Sequence, residues 1–194
     1  MTFLRRYLIF LPSLFIGALG ALWLLFRPLE FEAEAGPLAI LLTASLATLG
    51  LLAGAWLLER LLPSFRAASK LLEGALRSFK MSLPLAVSLA AATSVSEELF
   101  FRGALLPLIG VWGQAALFAL MHPAPRRAWS YTAYTFVAGL VLGYVTVFTG
   151  SLWAAILAHF AVNLQGFLEV RRLQEKERAR RIRSQEAAKP VEHF

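Results

Sequence analysis

The chain has 194 residues, 58% of them hydrophobic, and a mean hydropathy of +0.64, well above the roughly 45–50% apolar content of a soluble domain. It contains no cysteine, which excludes disulfides, thiolate metal sites and a cysteine nucleophile, and no aspartate, which excludes an aspartate-pair protease. The apolar residues come in uncharged blocks of about 20, so the net charge of +7 reads as the Lys and Arg excess of cytoplasmic membrane loops, and nucleic acid need not be invoked.

Tyr7 to Phe26, after Arg5 and Arg6, reads as the first span, and its length argues against a cleavable signal peptide. The loop Arg27–Pro37 is acidic, with Glu30, Glu32 and Glu34 against Arg27. Leu38 to Leu58 is the second span. The connection Glu59–Lys80 carries Arg60, Arg66, Lys70, Arg77 and Lys80. Its Phe65, Leu71, Leu72, Leu76 and Phe79 recur near helical spacing, which fits either a helix lying along the interface or a plain solvated connector. The third span, about Met81 to Pro107, is followed by a turn at Gly110 and Gly113. The fourth runs from about Trp112 to His122 and stops at Pro123-Ala124-Pro125-Arg126-Arg127, where Pro123 turns His122 away from a regular helix. Trp129–Thr149 is the fifth span, Gly150 a tight turn, and Ser151–Leu168 the sixth.

From Glu169 the chain is charged, with Arg171, Arg172, Lys176, Arg178, Arg180, Arg181, Arg183 and Lys189, and should begin as a helical extension before fraying. No internal repeat is visible. The expected organisation is an all-α, polytopic transmembrane helical bundle of about six spans. Residues 1–80 hold two helices and a basic connector, 81–168 a four-helix core, and 169–194 a basic tail. Six spans place every basic stretch, and both termini, on the cytoplasmic side of the plasma membrane.

The third span contains Ser94-Val95-Ser96-Glu97-Glu98-Leu99-Phe100-Phe101-Arg102. Each charge at mid-bilayer costs roughly 2.5–3.5 kcal/mol on insertion scales. Glu98 and Arg102, at i,i+4, can pair on one helix. Glu97, turned about 100° away, is left for other helices to meet. The plainer alternative is a helix that ends early, with both glutamates in an aqueous loop.

Gly110 lies midway between Glu97 and His122, so a hairpin there brings the two to similar depth. Likewise His159 lies about nine residues, or about 13 Å, beyond Gly150, and Asn163 follows it at i+4 on the same face. Glu97, His122, His159 and Asn163 are thus expected in one layer, from three helices. A single buried His or Asn is commonly packing glue between helices; four converging polar groups point to chemistry. His193, in the tail, has no assigned role.

A carboxylate beside a histidine can take a proton from water, and a His–Asn pair can supply donors to an oxyanion. Ser94 and Ser96 lack a nucleophile elbow. Hydrolysis of an acyl group by activated water is therefore the natural reaction class. The competing reading is zinc held by Glu97, His122 and His159, although no His-Glu-x-x-His helix is present.

Glu97-Glu98-x-x-x-Arg102 followed by Gly103, then Phe118-x-x-x-His122, then His159-x-x-x-Asn163, resemble the three motifs of the CAAX protease and bacteriocin-processing (CPBP) family, the Abi-type membrane peptidases. The resemblance covers roughly residues 81–168. It implies a glutamate-type intramembrane peptidase; no cofactor is expected, with zinc at Glu97, His122 and His159 as the alternative. Glu97 and His122 would activate water, His159 and Asn163 would form the oxyanion hole, and Glu98 and Arg102 would hold the site together. It further implies a membrane-embedded or lipidated peptide as substrate: members either trim prenylated CAAX proteins or are linked to leader-peptide and bacteriocin processing. The rival readings are a non-catalytic scaffold or bacteriocin-immunity protein on the same fold, and a proton-coupled transporter, which lacks the usual inverted repeat.

Overall fold

Proline, serine and glycine set where the helices begin and end. In the computed structural model, residues 9–29, 34–76, 79–122 and 124–187 are described. Arg5, Arg6, Tyr7, Glu30, Glu32, the Leu72 side chain, Arg77, Pro123, Lys189 and His193 lie outside the described residues. Helix α1 (Leu11–Phe26), α2 (Pro37–Leu61) and α3 (Pro63–Leu76) all carry proline in the first turn, where a missing N–H costs nothing. Helix α4 (Leu83–Glu98) is capped by Ser82, whose Oγ accepts from the Leu85 N–H at 3.4 Å. A π-helical segment (Leu99–Leu105) and α5 (Leu106–Leu120) follow. A short 3₁₀ turn (Arg126–Ala128) leads into α6 (Trp129–Thr149), which ends at left-handed Gly150 (φ 60°). Helix α7 (Leu152–Ala187) completes the order. No strand occurs among the described residues.

The chain is a multi-pass membrane protein by helix length and composition. Pro37–Leu61, Leu83–Leu120, Arg126–Thr149 and Leu152–Gln185 are each long and apolar enough to cross a bilayer. The second of these is two arms, because Gly110 (φ 71°, ψ 176°) breaks it where the turn is expected. Helix α1, at 16 residues, is about 24 Å long and shorter than the roughly 20 residues a full crossing takes. Helix α7, at 36 residues, is about 54 Å long, so the expected extension of the sixth span is helical as far as Ala187.

Two features depart from simple expectation. Span three does not continue as regular α-helix to Pro107; it widens into π turns from Leu99 to Leu105. Pro107 supplies no N–H to the carbonyl four residues back and its ring crowds it, so a wider turn just before it relieves a defect an α-helix would carry. The connector is neither featureless nor merely solvated. Helix α3 buries Phe65, Ala68 and Leu76 and exposes Arg66 and Lys70. Ser64 and Ser130 hydroxyls meet at 2.7 Å, and the Phe65 ring packs edge-on to Tyr134 at 5.4 Å, fixing α3 against α6.

Close approach is bought with small residues. A Cβ on Gly20 would stand 2.7 Å from the Phe100 backbone nitrogen, and one on Gly17 would stand 2.6 Å from Ser96 Oγ. Helix α1 therefore lies directly on the end of α4 and the π segment. On α6, a Cβ on Gly139 would meet Ala115 Cα at 2.9 Å, so α5 and α6 touch at backbone distance, as small residues allow in membranes. One end of the bundle joins the first loop to the Gly150 turn, through Ala35 N–H to the Thr149 carbonyl (2.8 Å) and Ser151 Oγ to Glu34 (2.8 Å). The other end carries α3, the Arg126–Ala128 turn and the basic extension of α7.

Candidate active site

The last turn of α4 presents two successive carboxylates with different surroundings. Glu98 is fully buried, and its Oε1 accepts from Arg102 Nη1 at 2.9 Å and from His159 Nδ1 at 2.6 Å. Arg102, also fully buried, donates from Nη2 to the Gly139 carbonyl at 3.1 Å. Gln114 donates to that same carbonyl at 2.9 Å. The Phe118 ring lies 4.7 Å from the Arg102 guanidinium carbon, a cation–π contact. An arginine in an apolar interior is thereby held by a carboxylate, a carbonyl and an aromatic face. Burying such a charge is tolerable only when it is paired and hydrogen-bonded.

Glu97 points elsewhere. Its Oε2 stands 3.7 Å from His122 Nε2 and 3.9 Å from His159 Nε2. That oxygen is buried and has no hydrogen-bond partner among the described residues. Each imidazole is fixed from behind. His122 Nδ1 donates to the Phe118 carbonyl at 2.8 Å, and His159 Nδ1 donates to Glu98. A carbonyl only accepts, so Nδ1 of His122 carries the hydrogen and its Nε2 faces Glu97 as a lone pair when the ring is neutral. Phe118 packs against both rings, at 4.5 Å from His122 and 5.9 Å from His159. Three proton acceptors thus converge on one spot, an arrangement that calls for a bound donor or a shared proton.

The structure brings Glu97, Glu98, Arg102, His122 and His159 together. Asn163 lies a turn beyond His159, in the same cavity, with its Nδ2 donating to Thr93 Oγ1 at 3.0 Å. That cavity, of about 360 Å³, is lined on its polar side by Glu97, His122, His159 and Asn163. Leu51, Phe65, Leu142, Val162 and Phe167 give it an apolar wall, and Tyr131 and Tyr134 add phenol groups. Among the described residues no group of three His, Cys, Asp or Glu side chains has the arrangement of a metal site.

Several participants were not singled out from sequence. Gln114 was visible as a lone amide in an apolar run, and Gly139-x-x-x-Gly143 as a close-packing pattern. Phe65 stood out only as part of the connector's apolar spacing, and Thr93 and Tyr131 carried no signal, since a place at the site depends on which faces the helices turn to one another.

Residues 79–165, which contain every motif above, match the family described as Type II CAAX prenyl endopeptidase Rce1-like. The chain is also similar to the uncharacterized protein YpbD of Bacillus subtilis (strain 168), with 30% identity over 84 residues, 43% of this chain and 44% of that protein. The aligned part thus spans less than half the length of that relative. No solved structure matches the chain.

Proposed function

We propose that this chain, Rce1-like over residues 79–165, is an intramembrane endopeptidase that hydrolyses a peptide bond of a membrane-embedded or lipidated protein. The observation that carries the reading is the partnerless Glu97 Oε2, faced by two imidazole nitrogens at 3.7 and 3.9 Å. These separations are too long for direct hydrogen bonds and short enough for one water to bond to both sides.

In the proposed reaction, Glu97 takes a proton from water as the water oxygen attacks the scissile carbonyl, and His122 orients that water. The oxyanion is met by His159 and Asn163. The Glu98 carboxylate, at 2.6 Å from Nδ1, fixes the His159 ring with its Nε2 turned into the cavity. As the tetrahedral intermediate collapses, the proton held on Glu97 passes to the leaving amine. The apolar cavity wall suits a lipid chain or an apolar peptide segment, and the family's description as a prenyl endopeptidase supports a lipidated one. By this reading no metal takes part. The enzyme sits in the plasma membrane with its basic end toward the cytoplasm.

The test is cleavage of a lipidated peptide by the protein in liposomes. Glu97→Gln is expected to lose about 10²–10⁴ in rate and His159→Ala about 10²–10³, with unchanged thermal unfolding and with activity unaffected by chelators. Wild-type cleavage by Glu97→Gln would exclude the mechanism, and loss on chelation would favour the zinc reading.

A further inference from the structure

We infer that the basic end of the bundle holds a binding site for the phosphate of an anionic phospholipid, between Lys80 and the α7 extension. A cavity of about 410 Å³ is lined there by Lys80, Met81, Arg171, Gln174, Glu175 and Arg178. Its volume falls within the range of roughly 300–1,000 Å³ typical of small-molecule sites.

The site is built rather than incidental. Gln174 holds the turn before α4 against α7 with three hydrogen bonds. The Met81 N–H donates to its Oε1 at 3.0 Å, and its Nε2 donates to the carbonyls of Phe79 at 3.0 Å and Leu76 at 3.4 Å. That clamp fixes Lys80 beside α7. Arg171, Gln174, Glu175 and Arg178 fall at i, i+3, i+4 and i+7, so they share one helical face. The site's carboxylate is already engaged: Glu175 accepts from Arg171 Nε at 2.8 Å. Lys80 and Arg178 form no ion pair among the described residues. Three cations against one paired carboxylate leave a strongly positive pocket.

Its position selects a lipid over a soluble anion. Lys80 lies just before the Ser82 cap of the apolar α4, on which Leu83 and Val87, one turn apart, are 49% and 39% exposed. An acyl chain can run along that stripe while its phosphate sits among the cations above. Basic pockets between helices at the membrane surface take lipid headgroups in this way. The consequence reaches the site. Helices α4 and α7 carry Glu97 and His159, and a phosphate between Lys80 and Arg178 replaces repulsion with a bridge at the end of that pair.

The experiment uses the full chain in nanodiscs of phosphatidylcholine with or without phosphatidylglycerol. Thermal unfolding and native mass spectrometry of retained lipid are the readouts, so the outcome is independent of peptidase activity. Phosphatidylglycerol is expected to raise the unfolding temperature. Lys80→Gln with Arg178→Gln is expected to remove that rise and weaken lipid retention about fivefold per cation. Arg180→Gln with Arg183→Gln, the same charge change on another face of α7, is expected to keep both. Equal losses in the two double variants, or none in either, would overturn the site in favour of diffuse attraction or no binding. Soluble glycerol 3-phosphate reproducing the shift would overturn the lipid as ligand.

Discussion

Glu98 serves two partners through one oxygen, and the partners do different work. Arg102 needs it for charge balance inside an apolar bundle, while His159 needs it to hold its ring and proton in place. Glu98→Ala should cost about 3–5 kcal/mol, because it leaves a buried guanidinium unpaired. Glu98→Ala with Arg102→Met removes both charges and should recover much of that stability, yet it leaves His159 without an acceptor. The double variant is therefore expected to unfold near the wild-type temperature in micelles and still cleave poorly. Full activity in it would show that His159 needs no carboxylate behind it. The Glu98–Arg102 pair was legible at i,i+4, since four residues bring side chains to one face whether the turn is α or slightly wider. The His159–Glu98 contact, 61 positions apart, was not, because spacing within a helix says nothing about which face a second helix offers.

At the scale of elements, mirror spacing did most of the work that sequence could do. A helix has a fixed rise per residue, so positions equidistant from Gly110 return to one depth, and Glu97 and His122 meet within 4 Å. Depth is legible and azimuth is not. The π segment, the seating of α1 on it, and the placement of α3 over the cavity depend on contacts that no periodicity encodes. The seating of α1 makes a sharp prediction. Gly20→Ala pushes a methyl group toward backbone at 2.7 Å, where nothing flexible can yield, and overpacking of this kind costs typically about 1–3 kcal/mol. Thermal unfolding should fall accordingly, and cleavage with it, because the displaced segment carries Arg102. Gly54→Ala, which meets nothing within 4 Å, is the control and should leave both readouts unchanged. Equal tolerance of the two substitutions would mean that α1 does not bear on the site.

At the scale of the molecule, polarity is segregated by end. Arg60, Arg66, Lys80, Arg126, Arg127 and the α7 extension gather at one end. Glu34, Ser151 and the Gly110 and Gly150 turns occupy the other. Lysine and arginine bias sets orientation, so the basic end should face the cytoplasm. That matters for chemistry, because hydrolysis inside an apolar bundle needs a route for water. A cavity of about 290 Å³, lined by Ala68, Leu71, Ala124, Pro125 and Ala128, shares His122 and Tyr131 with the one that Glu97 lines. These two side chains are the wall between the basic end and Glu97. Absence of cysteine makes single-cysteine labelling clean. In sealed right-side-out vesicles, Gly36→Cys should react with an impermeant maleimide and Ser184→Cys should not, the pattern reversing in inverted vesicles. Ala124→Cys should follow Ser184→Cys, and its reaction should slow the proposed cleavage by closing the route beside His122. If Ala124→Cys instead followed Gly36→Cys, water would have to reach Glu97 from the acidic end, and the break after α5 would be a terminus of the helix rather than an entrance.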